Sequence, residues 1–324
     1  MTKAIRLNRN GGPEVLEIQE VTVGAPGPAE IRIRQTAVGL NFIDVYHRTG
    51  LYPLPLPTGI GLEAAGVVEA VGAEVTEFRP GDRVAYPAGP IGAYAEERLI
   101  AADRVVKIPD GISDEQAAAM MLKGMTAHYL LHRTYAVKPG DTILFHAAAG
   151  GVGLIACQWA KALGATVIGT VGNDEKAELA RAHGCDHVIV YSRENFTDRV
   201  REITGGKGVP VVYDSVGAAT FEGSLDCLAT FGMMVSFGNA TGPIPAIDSG
   251  LLAGKGSLYF TRPTLMTHCA DRGRLVEGAE ALFAAVLSGK VKIEIHQRWS
   301  LRDAPEAHRA LEARKTTGSS LLIP

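Results

Sequence analysis

Residues 145–164 read FHAAAGGVGLIACQWAKALG, and this stretch decides the fold class. An apolar strand pattern, DTILFH, leads into it, and GVGLIACQWAKALG predicts a helix that ends at Gly164. The phosphate-binding fingerprint G-x-G-x-x-G lies between such a strand and helix. Its three positions fall on Ala148, Gly150 and Gly153, so alanine replaces the first glycine. The helix N-terminus would face the phosphate, and the turn predicts a dinucleotide site.

The same alternation continues along the chain. ATVIGTV, DHVIVY, VPVVYDSVG, MMVSFGN and GSLYFTR are typical of strands, and helical patterns separate them. One of these helices is expected to run from an N-cap at Asn173 to Gly184. Six strands that alternate with helices predict a doubly wound parallel sheet, the Rossmann architecture, over residues 125–261.

The segments on either side have a different texture. Residues 1–124 are rich in Gly and Pro, and EIRIRQTAVGLN, GVVEAVG, DRVAYP and DRVVKIP are candidate strands. This all-β pattern predicts a small barrel or sandwich. Residues 262–324 return to a helix, a strand, a second helix and a last strand, SSLLIP. We expect this tail to complete the first domain, so that the αβ domain is inserted into the β-rich one.

Composition limits the classes of function. Hydrophobic residues make up 46% and charged residues 21%, and the formal net charge is -3 without a basic run, which argues against a nucleic-acid-binding surface. The N-terminus lacks the apolar segment of a secretory signal. The uncharged run 142–160 contains three glycines and fits a strand, turn and helix better than a membrane span. Four widely spaced cysteines predict buried, reduced thiols. We expect a soluble, cytoplasmic protein.

The end of the second αβ strand bears on the choice of cofactor. An acidic residue there would bind the ribose 2′-hydroxyl of NAD, but residues 169–172 read GTVG. Asp174 and Glu175 follow in the first helical turn, where carboxylates favour the helix dipole without any ligand. Lys176 lies in the same turn, where a cation is disfavoured unless an anion such as a 2′-phosphate is near. A solvated lysine is the equally weighted alternative.

Motifs along almost the whole chain carry a family resemblance. They include GGPEVL, GLNFIDVYHRTGLYP, GLEAAGVVEAVG, GDRVAY, LLHRTYAVKPGD, FHAAAGGVGLIACQWAKALGA, VVYDSVG, SLYFTRP and GSSLLIP. The chain resembles the zinc-independent, zeta-crystallin-like quinone oxidoreductases of the medium-chain dehydrogenase/reductase superfamily. The resemblance implies a GroES-like catalytic domain, a Rossmann domain that binds NADPH, and a homodimer. In this family A-x-x-G-x-x-G replaces the usual fingerprint, which accounts for Ala147, Gly150 and Gly153.

The zinc-dependent relatives in this superfamily differ at two positions. Their catalytic metal takes a Cys where this chain has Asn41, and a His where it has Leu62, and neither replacement is a zinc ligand. The four-cysteine loop that binds their structural zinc would follow GDRVAYP, but AGPIGAYAEE contains no cysteine. We therefore expect no metal site.

By motif position, the resemblance also implies the binding residues, in a cleft between the two domains. It implies catalytic roles at the quinone or nicotinamide for Asn41, Tyr46 and Tyr52. The cofactor-binding set comprises Asn41, Phe42, Tyr46, Tyr129, Gly150, Gly151, Val152, Gly153, Gly172, Lys176, Tyr191, Val216, Phe237, Gly238, Asn239, Phe260, Thr261 and Arg314. The alternatives are packing residues for the two tyrosines, a turn residue for Asn41, and a satisfied core histidine for His146.

The sequence thus predicts an NADPH-dependent quinone reductase that works without a metal. One alternative is an NADPH-dependent alkenal or enone reductase on the same fold, because hydride addition to a conjugated enone needs similar geometry. An alternative of another class is a non-catalytic NADPH-binding protein, crystallin-like or RNA-binding. The missing basic patch counts against RNA binding.

Overall fold

The chain forms two units, and the computed structural model describes all of its residues, 1–324. Unit 1 comprises Met1–Met125, His268–Leu287 and Ile293–Pro324, and unit 2 comprises Thr126–Thr267 and Ser288–Lys292. The chain therefore enters unit 2 after its first 125 residues and returns to unit 1 afterwards. No helix has both the length and the apolar character that crossing a membrane requires.

Unit 1 contains ten strands. They are β1 (Thr2–Leu7), β2 (Leu16–Val21), β3 (Glu30–Leu40), β4 (Thr58–Gly59), β5 (Glu63–Val71), β6 (Arg83–Tyr86), β7 (Glu97–Ala101), β8 (Val106–Lys107), β15 (Ile295–Ser300) and β16 (Ser319–Ile323). The larger sheet has seven strands in the order β15-β16-β3-β5-β6-β8, with β7 also paired to β3. A second sheet has the order β2-β1-β4.

The long strand β3 organises the core of unit 1. Its alternation of apolar and polar residues buries Ile31 and Ile33 on one face, as a half-buried strand requires. These side chains pack with Ile5, Ile60 and Leu322 in one hydrophobic cluster. Every strand predicted in this region is present, although DRVVKIP contributes only the two residues of β8.

Helices occupy two places where the sequence predicted only strands. Helix α1 spans Phe42–Thr49, and helix α2 spans Asp114–Tyr129. The signal for α2 lies in its first residues, SDEQ, because Ser113 and Gln116 exchange side-chain to backbone hydrogen bonds of 3.0 and 3.1 Å in a capping box. Unit 1 also contains α9 (Arg272–Leu287) and α10 (Ala304–Glu312).

Unit 2 has the six strands that the sequence predicted. They are β9 (Thr142–Phe145), β10 (Thr166–Val171), β11 (His187–Val190), β12 (Val209–Asp214), β13 (Leu228–Ser236) and β14 (Tyr259–Thr261). All pairs are parallel, in the order β11-β10-β9-β12-β13-β14. Helices α3 (Gly151–Ala162), α4 (Asp174–Ala182), α5 (Phe196–Ile203), α6 (Phe221–Asp226) and α7 (Ser249–Gly254) connect them, and α8 (Leu265–His268) follows β14. The predicted doubly wound parallel sheet is confirmed.

One strand of unit 2 begins earlier than expected. Strand β13 starts at Leu228 rather than at the apolar run MMVSFGN, and Phe231 within it has a φ of +62°. The Phe231 N–H donates to the Gly256 carbonyl oxygen at 2.8 Å, and its ring is 67% exposed. The four cysteines are free and buried, as predicted.

Candidate active site

The turn between β9 and α3 has the geometry of an anion-binding site. Gly150 is the N-cap of α3, and the first turn of this helix carries no acidic residue. The Gly150 N–H donates to the Ala147 carbonyl oxygen at 2.9 Å, which closes the turn. Gly151 and Val152 follow in the first helical turn, where backbone N–H groups and the helix dipole favour a negative charge.

The conformation of Ala147 shows which alanine takes the place of the first glycine in the motif. Its φ is +54°, in the left-handed region that favours glycine, so the strained position is Ala147 and not Ala148. A side-chain Cβ on Gly153 would lie 2.4 Å from the Ala147 carbonyl oxygen, so this glycine is required for the turn itself. A Cβ on Gly150 would meet only that same oxygen, at 3.2 Å. The protein therefore leaves the space beside Gly150 open, and the turn fits a pyrophosphate.

His146, directly after β9, contacts β10 and helix α6, and through α6 it is connected to the end of β12. Its ring is fully buried, with Nδ1 2.8 Å from Thr170 Oγ1 and Nε2 3.0 Å from Ser224 Oγ. Ser224 donates in turn to Asp214 at 2.9 Å. Burial lowers the pKa of His146, and the Asp214 carboxylate acts in the opposite direction. Both ring nitrogens have partners, as the alternative of a satisfied core histidine requires.

Asp214 fixes the loop that follows β12. Its Oδ1 accepts from the N–H groups of Val216 and Gly217 at 2.7 and 3.1 Å, and its Oδ2 accepts from Thr220 Oγ1 at 2.7 Å. The loop therefore ends in a fixed conformation at the same sheet edge as the phosphate turn. Ligands of doubly wound folds bind at this edge, beyond the carboxyl ends of the strands.

Further candidates lie beyond β13 and on β14, at the same edge. The Phe237 N–H donates to the Asp214 carbonyl oxygen at 2.8 Å, and its ring centroid is 5.7 Å from that of Phe145. Gly238 approaches Ser215 so closely that a Cβ would lie 2.5 Å from its carbonyl oxygen. Asn239 follows directly, and Phe260 and Thr261 end β14.

The end of β10 brings Gly172 next to Tyr191, and Lys176 lies in the first turn of the helix that follows. A Cβ on Gly172 would lie 2.9 Å from the Tyr191 hydroxyl, so glycine admits the tyrosine. The predicted N-cap is confirmed, since Asn173 Oδ1 accepts from the Lys176 N–H at 2.9 Å. The first acid of α4, Asp174, accepts hydrogen bonds from both terminal nitrogens of Arg193, at 2.7 and 2.5 Å. The Arg193 guanidinium keeps the pKa of Asp174 below its usual range.

Unit 1 presents an aromatic group on and after α1. The Phe42 and Tyr46 ring centroids are 5.5 Å apart, and those of Tyr46 and Tyr52 are 5.1 Å apart in an edge-on contact. Tyr46 is buried, whereas Phe42 and Tyr52 are half-buried.

Tyr129, at the end of α2, is buried and belongs to unit 2. Arg314 is an exposed residue of unit 1 that follows α10, with a φ of +58°.

Asn41 is the N-cap of α1 and belongs to a buried charged cluster. Its Nδ2 donates to Glu63 Oε2 at 2.8 Å, and Lys123 Nζ donates to the same oxygen at 2.9 Å. The other carboxylate oxygen of Glu63 accepts from the Leu122 N–H at 2.7 Å. Gly39 makes room for this carboxylate, because a Cβ there would lie 2.1 Å from Glu63 Oε2.

A second buried chain of hydrogen bonds begins at Asp44. Asp44 Oδ2 accepts from the Asn41 N–H and from the Tyr94 hydroxyl, each at 2.9 Å. The Tyr94 oxygen is 3.1 Å from His308 Nε2, and Arg48 Nη1 is 3.1 Å from His308 Nδ1. Burial raises the pKa of Asp44 to about 7, and burial and the Arg48 guanidinium lower the pKa of His308 to about 3. This chain anchors the start of α1 to α10.

The positions that correspond to zinc ligands have other roles here. Asn41 is hydrogen-bonded to Glu63, and Leu62 is an apolar side chain buried at 2% exposure. No group of three or more His, Cys, Asp or Glu side chains is arranged to hold a metal ion.

Sequence reasoning missed Asp44, Glu63, Lys123 and Asp214. Only local signals were available for them. Glu63 stands beside Leu62 in the quoted motif GLEAAG, and Asp44 is three residues after the N-cap Asn41, the spacing of a capping box. Lys123 lies within an apolar helix pattern, where a cation is unexpected.

Comparisons with known families agree with this architecture. The model of the alcohol dehydrogenase GroES-like domain matches residues 27–110, and that of the zinc-binding dehydrogenase family matches residues 151–270. The two together define the class of the medium-chain dehydrogenases and reductases.

Individual relatives are more specific. The chain is 57% identical to a quinone oxidoreductase of Pseudomonas aeruginosa, with 100% of both chains covered. It is 48% identical to a 2-haloacrylate reductase of a Burkholderia species, with 100% of this chain and 99% of the relative covered. The crystal structure of Escherichia coli quinone oxidoreductase complexed with NADPH matches with a TM-score of 0.98 and 52% identity, over 99% of this chain and 100% of that one. The chain belongs to the quinone oxidoreductase family.

Proposed function

We propose that the protein is an NADPH-dependent quinone oxidoreductase that works without a metal ion. The observation that carries the proposal is the turn between β9 and α3. It leaves open space beside Gly150 and presents the N-terminus of a 12-residue helix. This cradle suits the pyrophosphate of a dinucleotide. When bound, NADPH supplies the hydride at the C4 carbon of its nicotinamide ring.

The protein holds the cofactor with three groups of residues. Gly150, Gly151, Val152, Gly153 and Tyr129 bind the phosphates and the ribose. Gly172, Lys176 and Tyr191 hold the adenosine 2′-phosphate. The nicotinamide side is lined by Val216, Phe237, Gly238 and Asn239, with Phe260, Thr261 and Arg314 nearby, and by Asn41, Phe42 and Tyr46. Placement at the carboxyl edge of the sheet or around α1 supports these roles for all but two residues. Tyr129, at the end of α2, and Arg314, after α10, are included on the family resemblance alone.

The end of β10 favours NADPH over NADH. No acid stands at residues 169–172, and Arg193 pairs with Asp174, so Glu175 is the one other acid in this turn that opposes a 2′-phosphate. Replacing Lys176 with alanine should remove a charge-assisted contact of about 1.5–3 kcal/mol. We expect NADPH to bind roughly tenfold or more weakly and NADH to bind almost as before.

Fluorescence titration of both cofactors tests this expectation. Lys207→Ala is the matched control, because this exposed lysine precedes β12 at the opposite edge of the sheet. Equal losses for NADPH and NADH in Lys176→Ala would rule out the 2′-phosphate role.

The quinone lies against the aromatic group of unit 1. Tyr46 and Tyr52, in edge-on contact, offer a flat apolar wall and hydroxyl groups, and Asn41 adds a polar contact. A quinone needs less electrophilic help than a ketone, because its added charge delocalises over an aromatic ring. Positioning therefore dominates the rate. In zinc enzymes a Lewis acid stabilises the alkoxide, but Asn41 and Leu62 replace the ligands such an ion would need.

One experiment tests the function. The purified protein should oxidise NADPH with benzoquinones and naphthoquinones faster than with enones or 2-haloacrylate, and exhaustive chelation should leave these rates unchanged. Fast ethanol oxidation, or activity that requires zinc, would contradict the proposal. Faster turnover of enones than of quinones would favour the enone reductase.

We also propose a homodimer in the cytoplasm. Strand β14 is the edge of the parallel sheet, and Tyr259 on it is 59% exposed, so this edge offers both unpaired backbone groups and apolar area. Pairing of β14 with its two-fold mate covers both. The four free, buried cysteines fit a reducing compartment.

Replacing Tyr259 with aspartate should put two like charges across this two-fold axis and yield monomers. Light scattering at micromolar concentration measures the mass, and Tyr259→Phe, which keeps the apolar area, should remain dimeric. A monomeric wild type would show that the assembly is wrong.

A further inference from the structure

The ammonium group of Lys123 is buried with an incomplete set of acceptors. The side chain is 6% exposed, and an ammonium carries three N–H donors. The protein gives Nζ one hydrogen-bond acceptor, Glu63 Oε2 at 2.9 Å. A buried charge whose donors are unfilled is costly, and it is retained in proteins mainly where it has a task.

The partner of this ammonium is fixed from every side. Glu63 is fully buried, and its two oxygens accept from Asn41 Nδ2, Lys123 Nζ and the Leu122 N–H. Gly39 leaves the carboxylate its space. Lys123 and Asn41 therefore meet at one carboxylate oxygen, and moving either side chain would remove one of the three hydrogen bonds that Glu63 accepts.

The position of the cluster connects it to the reaction. Asn41 begins α1, the helix that carries Phe42 and Tyr46, and it stands where zinc relatives have a metal ligand. Leu62, the second such position, is the neighbour of Glu63. A fixed positive charge therefore shares a carboxylate oxygen with Asn41, one of the two residues that replace metal ligands. In the zinc relatives the metal ion stabilises developing negative charge at this place.

We propose that Lys123 is the proton donor to the quinone oxygen, an inference that rests on the proposed function. Nζ first donates a hydrogen bond to one carbonyl oxygen of the quinone and stabilises the negative charge that develops there. The hydride that NADPH supplies would form one O–H bond at the other quinone oxygen, while an N–H bond of Lys123 breaks and the second O–H bond forms. The neutral amine then regains a proton from water. One quinone, one NADPH and one proton give one hydroquinone and one NADP⁺.

The first test compares a single and a double variant. Lys123→Met should lower kcat/KM for quinones at least a hundredfold and leave NADPH affinity within twofold, but it also leaves Glu63 buried and unpaired. Glu63→Gln combined with Lys123→Met removes both charges, so thermal stability should return towards the wild type. Turnover should remain low in this double variant. Recovery of turnover together with stability would show that the pair is only structural, and would overturn the proposal.

A second test reads the same site without turnover. A nitrophenol resembles the hydroquinone product, and its phenolate form is yellow. The wild-type complex should stabilise the phenolate and lower the apparent pKa of the bound nitrophenol by at least one unit, and the double variant should lose this shift. Absence of a shift in the wild type overturns the proposal. The wild type could instead show the shift but reduce no quinone. That result would support Lys123 as an oxyanion-binding group and refute the quinone reductase function.

Discussion

Replacing Gly153 with alanine should weaken NADPH binding strongly and destabilise the protein by about 2–3 kcal/mol. The new Cβ would lie 2.4 Å from the Ala147 carbonyl oxygen and 2.6 Å from that of Ala148. Both are backbone atoms, so the turn or the start of α3 has to move. The N–H groups that face the phosphate move with it, and we expect a loss in affinity of at least a hundredfold, or about 2.7 kcal/mol. Urea unfolding and NADPH titration measure the two effects.

Gly150→Ala separates binding from folding. Its Cβ would meet only one atom, at 3.2 Å, so the free energy of unfolding should change by about 1 kcal/mol or less. NADPH affinity should nevertheless fall steeply, because the methyl group occupies the space that the pyrophosphate needs. Gly254→Ala is the control, since no atom lies within 4 Å of its Cβ position. Normal NADPH binding by Gly150→Ala would refute the assignment of the turn.

Replacing Asp44 with asparagine should change how stability depends on pH. Burial is the main cause that raises the pKa of Asp44 from 3.8 to about 7, and the hydrogen bonds from Asn41 and Tyr94 act against it. The folded state therefore favours the protonated acid. Its contribution to stability is complete below pH 4 and is lost as the pH rises to about 7. At about 1.36 kcal/mol for each pKa unit, the loss is on the order of 4 kcal/mol.

The amide that Asp44→Asn introduces cannot ionise, and it keeps an oxygen for the two donors. The free energy of unfolding of this variant, relative to wild type, should therefore rise by roughly 3–4 kcal/mol between pH 4 and pH 8. His47 and His308, whose pKa values are lowered to about 4 and 3, lose their stabilisation as the pH falls below 6.5. The two histidines contribute equally to the stability of the wild type and of the variant, so their contributions cancel when the two free energies of unfolding are subtracted. Asp248→Asn, at an exposed helix cap, is the control. A difference that stays constant with pH would refute the buried acid.

Unit 2 was predictable because its signals are local. Each strand is a short apolar run, each helix has the matching period, and the N-cap at Asn173 is followed within three residues by its partner. A right-handed parallel fold follows from that alternation. The early start of β13 was not predictable, because among its extra residues only Leu228 pairs with β12, and Phe231 is neither buried nor extended.

Unit 1 and its charged cluster were only partly predictable. The strands appear in the sequence, but α1 is eight residues long, and its start depends on Asn41 and Asp44. The chain from Asp44 through Tyr94 and His308 to Arg48 includes a hydrogen bond between residues 260 positions apart. The spacing of apolar residues along the sequence cannot predict contacts between residues so far apart. Lys123 could be found in the sequence as a cation in an apolar helix, but its partner Glu63 could not.

The place of β16 in its sheet has a consequence for the order of folding. Strand β16, Ser319–Ile323, pairs along its length with β15, and its residues 320–322 also pair with β3. All six strands of the other sheet lie between Thr142 and Thr261, so that sheet can form on the ribosome as soon as it has emerged. Strand β3, although synthesised first, keeps part of one edge open until residues 319–323 arrive. During synthesis this unpaired strand edge is the site most exposed to pairing with a wrong strand. Unit 1, although it contains the residues made first, is therefore the unit that is completed last.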